Sequence, residues 1–175
     1  EDALSEVEFV QESAPEQLEL KRSLFKKIDK YADNSTIISS STSGLIMSEM
    51  QHGLEYARRF VVGHPFNPPH LIPLVEFVGG KDTDPSVVDW AIKFYNKIGK
   101  HGIKINKEVP GHLANRLQAA LWREAVLAVQ NDLASVEDIN AAVAMGPGLR
   151  WALMGPHMIM NLTGGEGGFR KMLDH

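Results

Sequence analysis

The chain has 175 residues, 43% of them apolar, with no cysteine and 22 acidic against 18 basic side chains, a formal charge of -4. That apolar share is enough for a real core in one large domain or parts of two. The acidic balance excludes a general binder of nucleic acid or of anionic membrane surfaces, and the lack of cysteine excludes a disulfide framework and thiolate zinc sites.

Val7 to Gln11 reads as a strand, and Pro15 to Tyr31 as a helix with Leu18, Leu24, Phe25, Ile28 and Tyr31 on one face. Thr36 to Ser40, Arg59 to Gly63 and Pro73 to Val78 are further strands. Asp84 and Pro85 supply a cap and first helical position for a helix whose apolar positions run from Val87 to Ile98, and Ile103 to Asn106 is the last strand. Strands alternating with helices argue for an open α/β sheet of crossover units. After Lys107 the pattern becomes helical. Pro110 to Gln130 carries Leu113, Leu117, Leu121, Ala125 and Ala128 in register, Ser135 and Asp138 resemble a capping box, and Gly146 to Gly168 reads as a turn, a short helix and a loop. We expect a domain boundary near residue 108, with domains over 1–108 and 109–175. No stretch approaches the roughly 20 apolar residues of a spanning helix, and the acidic opening EDALSEVE is unlike a targeting peptide, so the expected compartment is cytoplasmic.

Polar residues interrupt the apolar runs at the carboxyl ends of the first three strands: Glu12 and Ser13, then Ser39 to Ser43, then His64. That edge is where open α/β sheets bind ligands, although a serine cluster is also a common helix cap. The segment Gly63 to Glu76, GHPFNPPHLIPLVE, sets a histidine twelve residues before a glutamate flanked by Ile72, Leu74, Val75, Phe77 and Val78. A carboxylate among such neighbours either keeps its head in water at a strand edge or is buried and needs a partner. His64 is the partner that would also do chemistry, since a histidine oriented by an acid is a general base. His64, His70, His101 and His112 match no metal-ligand spacing, so no metal is expected.

Four segments in order, FVQESAPEQLELK, SSSTSGL, GHPFNPPHLIPLVE and PGHLANR, resemble the L-3-hydroxyacyl-CoA dehydrogenase family. Together with GLRWALMGP they look most like its carnitine dehydrogenase and lambda-crystallin (gulonate dehydrogenase) branch. The resemblance implies a Rossmann-type dinucleotide-binding domain followed by an all-helical, dimer-forming domain, with NAD as cofactor and a hydroxy acid or acyl-CoA as substrate. It implies His64 as the base, Glu76 as the acid that orients it, and Ser40 and Asn115 near the substrate oxygen. Asn67 would lie near the nicotinamide, while Ser13, Ala14, Glu16 and Lys21 would line the cofactor side with Ser40. Arg150, Trp151, His157 and Phe66 are candidates for the substrate pocket. Trp151 reads equally as a packing residue, and Arg150 as a helix cap.

One feature of that family is missing. No G-x-G-x-x-G turn follows a strand: GPGLRW has Trp151 in place of the last glycine, and neither it nor GGEGGF follows a strand. The expectation is a segment lacking the first mononucleotide-binding half, inactive and a poor NAD binder alone. The rival expectation is a non-catalytic structural or dimerisation protein related to the family.

Overall fold

The computed structural model describes residues 2–173. The chain divides between Leu117 and Gln118 into two compact units.

The first unit holds five strands, β1 (Phe9–Glu12), β2 (Ile37–Ser40), β3 (Phe60–Pro65), β4 (Leu74–Gly79) and β5 (His101–Lys104), side by side in chain order. β1, β2 and β3 are parallel; β4 runs antiparallel to β3, and β5 parallel to β4. The sheet is therefore mixed, correcting the expectation of crossover units throughout. Only eight residues, 66–73, join β3 to β4, and Pro68, Pro69 and Pro73 are among them. A parallel return needs a dozen residues or more, so this connection has to reverse the chain.

Three helices belong to the sheet: α1 (Leu18–Tyr31), α2 (Met47–Met50) and α3 (Pro85–Lys97). α1 starts three residues later than its apolar pattern suggests, because Pro15 is taken into a turn in which Gln17 donates to its carbonyl. α3 begins as expected, with the Asp84 carboxylate accepting from the Ser86 amide at 2.8 Å. β5 lies two residues earlier than the apolar run Ile103 to Asn106, where the His101 amide can reach the Pro73 carbonyl.

Alternation along the strands sorts the core into two layers. Phe60, Val62, Ile38 and Val78 face α1 and α2 with Phe25, Ile28, Met47 and Met50. Val61, Ile37, Val75 and Phe77 face α3 with Val87, Val88, Ala91 and Tyr95. The same period of two puts Glu12, Ser40, His64 and Glu76 on the α1 and α2 side. Four chemically active side chains thus share one sheet face near its carboxyl edge.

Beyond the sheet come α4 (Ala114–Gln130), α5 (Val136–Met145), α6 (Pro147–Trp151), α7 (Pro156–Thr163) and α8 (Gly168–Leu173). α4 begins four residues after Pro110, since Gly111 and His112 both have left-handed backbones, φ 76° and 53°, that no helix contains. Ser135 caps α5 by accepting from the Asp138 amide at 3.0 Å. The segment read as a turn, one short helix and a loop holds two helices, α6 and α7, each with a proline in its first turn. In the second unit α5 packs on α6 and α7 on α8, with Ile159 its buried hydrophobic side chain among the described residues. Among the described residues, no helix is long and apolar enough to cross a membrane.

Candidate active site

β3 and β4 pair with His64 directly opposite Glu76. The antiparallel register brings the two side chains together on one face, and His64 Nδ1 lies 2.9 Å from Glu76 Oε2. Glu76 is 0% exposed and His64 6%. The other carboxylate oxygen, Oε1, accepts from the backbone amides of Leu113 at 3.0 Å and Ala114 at 2.8 Å, where α4 begins. Glu76 therefore sits at a helix N-terminus, an anion-favouring position. Burial alone would raise its carboxyl. The His64 hydrogen bond, the Ala114 and Leu113 amides and the His64 charge outweigh that and hold it below its ordinary range. With Glu76 ionised, Nδ1 of His64 must be the donor. Nε2 is then the nitrogen left to exchange a proton, and it has no hydrogen-bond partner among the described residues.

A second buried carboxylate sits where β1 ends. Glu12 Oε1 accepts from Lys21 Nζ at 2.8 Å and from the Ala14 amide; Oε2 accepts from Lys21 Nζ at 3.0 Å and from Ser40 Oγ at 2.5 Å. Lys21 also donates to the Ala14 carbonyl at 3.0 Å, and its side chain is fully buried. Its ammonium is thus satisfied within the protein, 3.7 Å from Glu16 Oε2 as well. Ser40 is buried, and its hydroxyl proton is held by Glu12 while its oxygen accepts from the Thr42 amide at 3.3 Å. Glu16 Oε1 gathers the loop after β2, accepting from Thr42 Oγ1 at 2.6 Å, the Ser43 amide at 3.0 Å and the Gly44 amide at 3.1 Å. Its partial burial opposes ionisation, but the Thr42 hydroxyl, the Lys21 charge and those amides lower its pKa. Exposed Ser13 accepts from Ser41 Oγ at 3.2 Å.

Asn115, in the first turn of α4, donates from Nδ2 to the Ser43 carbonyl at 3.1 Å. Phe66 is half-buried with its ring 6.1 Å from that of His64, and Asn67 is exposed beside it. The structure thus gathers His64, Glu76 and Phe66 at one end of the edge and Glu12, Lys21, Ser40 and Glu16 at the other, with Asn115 bonded to the loop after β2. Arg150, Trp151 and His157 lie on α6 and α7 in the second unit, all exposed. Sequence reasoning missed two members. Glu12 was visible as a polar residue ending a strand, yet its pairing with Lys21 one helix turn into α1 gave no signal. His112 is 2% exposed, with its ring 5.1 Å from that of His64. The glycine beside it was the one local hint of a turn in place of a helix.

Fold and site together define a Rossmann-like α/β domain, its buried histidine–glutamate pair at the carboxyl edge, followed by a helical region. Residues 1–109 match the family model for the 3-hydroxyacyl-CoA dehydrogenase, NAD binding domain, and residues 111–174 match that for the 3-hydroxyacyl-CoA dehydrogenase, C-terminal domain. The chain belongs to the 3-hydroxyacyl-CoA dehydrogenase family. It is 55% identical over 175 residues to an L-carnitine dehydrogenase of Streptomyces griseus, covering 100% of this chain and 52% of that protein. Against the L-carnitine dehydrogenase of Bacillus cereus the identity is 45% over 172 residues, 98% of this chain and 53% of the relative. The chain spans about half the length of these curated relatives. Among solved structures, a 5-formyl-3-hydroxy-2-methylpyridine 4-carboxylic acid 5-dehydrogenase, described as an NAD+ dependent dismutase, superposes with a TM-score of 0.88 at 34% identity, covering 93% of this chain and 52% of its own. The 3-hydroxybutyryl-CoA dehydrogenase of Escherichia coli superposes at 0.80 with 29% identity, covering 92% and 33%.

Proposed function

We propose that this chain carries the catalytic base of an NAD-dependent dehydrogenase that oxidises the 3-hydroxyl of a small or acylated acid. Carnitine-type substrates rank first, gulonate-type second and 3-hydroxyacyl-CoA third. The observation that carries the reading is the 2.9 Å bond between His64 Nδ1 and the ionised Glu76, which leaves Nε2 as a proton acceptor. The ranking rests on the likeness to L-carnitine dehydrogenases.

The donor chemistry at the carboxyl edge fits the nicotinamide half of the cofactor. The exposed hydroxyl of Ser13, its neighbour Ser41, the Glu16 carboxylate and the exposed Asn67 amide suit ribose hydroxyls and a carboxamide. NAD, when bound, supplies the hydride acceptor. His64 Nε2 takes the hydroxyl proton, and the Glu76 carboxylate stabilises the imidazolium that results. Asn115 keeps its second amide hydrogen for the substrate oxygen, whose charge grows as the proton leaves. Ser40, buried with its proton held by Glu12 and its oxygen accepting from the Thr42 amide, supports the loop after β2 from beneath. Phe66 places an aromatic ring beside His64, and the face of such a ring attracts a quaternary ammonium.

In the full-length protein with NAD and L-carnitine, His64→Ala should lower kcat by about 10²–10⁴-fold while NAD affinity stays near wild type. Near-normal turnover would remove the mechanism. Initial rates of NADH formation with L-carnitine, gulonate and 3-hydroxybutyryl-CoA test the ranking. We further propose a homodimer, because Leu117, Leu121 and Leu127 on α4 are exposed; light scattering at the monomer mass would overturn it.

A further inference from the structure

His112 belongs to none of the roles above, yet it is buried at the centre of the site. Its Nε2 lies 3.1 Å from the Thr42 carbonyl. A carbonyl only accepts, so Nε2 carries the hydrogen, and when the ring is neutral Nδ1 holds the lone pair. Two bonds then clip the turn at residues 111–115 to the loop after β2: His112 to Thr42, and Asn115 to the Ser43 carbonyl. The next two amides after His112, those of Leu113 and Ala114, are the ones that hold Glu76 Oε1. The backbone at His112 is left-handed, φ 53°, a conformation uncommon outside glycine although histidine adopts it more readily than most residues.

We propose that His112 is a positioning residue for the His64–Glu76 pair, holding the Leu113 and Ala114 amides on Glu76 through its bond to the Thr42 carbonyl. This rests on His64 being the base. Burial pushes the His112 imidazole below the usual histidine range, and the positive charge of His64 on β3 adds to that. The Thr42 carbonyl, Glu76 on β4 and Glu16 ahead of α1 pull the other way. The balance favours the neutral His112 ring, which opposes a second cation forming 5.1 Å from the His64 ring. Without His112 the two amides drift from Glu76, the carboxylate aligns Nδ1 less well, and the imidazolium of His64 is less stabilised.

The test uses the full-length protein with NAD and L-carnitine, comparing His112→Leu, which has no donor, with His112→Gln, whose amide can reach the same carbonyl. His112→Leu should lower kcat about tenfold to a hundredfold with little change in KM, as expected for a misaligned base. The acid limb of its kcat/KM profile should move to lower pH, and His112→Gln should restore both. Equal kcat and equal acid limbs in the two variants, or a loss confined to KM, overturn the proposal. Should the leucine variant fail to fold, imidazole nitrogen NMR of the wild type decides. His112 must remain neutral and protonated at Nε2 through the titration of His64, and a charged His112 or an Nδ1 proton there overturns the role. His64→Ala separates the two readings: if it is inactive and His112→Leu is normal, only the positioning role falls, and if it is active both fall.

Discussion

Glu12 and Glu76 are both buried carboxylates on the same sheet face, one at the β1–β2 end and one at the β3–β4 end, yet they have opposite consequences. Each is held by a basic side chain and by backbone amide hydrogen bonds. At the β1–β2 end the partner is an ammonium whose contacts to Glu12 and the Ala14 carbonyl satisfy it inside the protein. At the β3–β4 end the partner is an imidazole that engages the acid through one nitrogen and keeps another free. A buried carboxylate becomes a structural clamp or part of a proton carrier according to whether its partner has a second exchangeable site.

Removing each partner should separate those roles. Lys21→Met leaves the Glu12 carboxyl group buried without its cation, which should cost about 3–5 kcal/mol of stability by urea unfolding. Adding Glu12→Leu should recover only part of that loss, because it removes the unpaired carboxyl group but also takes the acceptor from the Ala14 amide and the Ser40 hydroxyl. An unchanged midpoint in the single variant would show that Glu12 is not clamped by the ammonium.

Glu76→Gln should act on catalysis. The Leu113 and Ala114 amides require an acceptor, so the new amide must turn its oxygen to them and its NH2 towards His64. Nδ1 then has to accept, the proton moves to Nε2, and the base is disabled; kcat should fall about 10²–10³-fold. A loss below about threefold would break the contrast with Glu12.

The smallest effect is on acid stability. The native state holds the Glu76 carboxyl below its ordinary 4.5, so the folded protein favours the anion. That contribution is fully present above the unfolded value and is lost as pH falls through the folded value. Urea midpoints of the wild type should therefore drop more steeply than those of Glu76→Gln between about pH 6 and about pH 3. Parallel curves would place the stabilising groups elsewhere.

Much of this was legible in local patterns. The five strands and the helices α1, α3 and α5 follow from periodicity and caps, because a period of two or 3.6 is imposed by backbone geometry that every residue shares. The direction of β4 was less visible: its apolar run reads the same in either orientation, and only the short proline-rich link rules out a crossover. The start of α4 was hidden because apolar spacing from Leu113 onward is helical, whereas the left-handed turn before it depends on what His112 touches.

By itself the sequence determined the alternating core, the strand-end placement of Glu12, Ser40 and His64, and a glutamate that had to find a partner or reach water. The antiparallel pairing that sets His64 opposite Glu76 was decided only in the tertiary structure. So were the closure of Lys21 onto Glu12 and the packing of His112 beside the base. These contacts join residues 9 to 70 positions apart in the chain. Their energies depend on burial and on directed hydrogen bonds, and neither exists until separate elements have met.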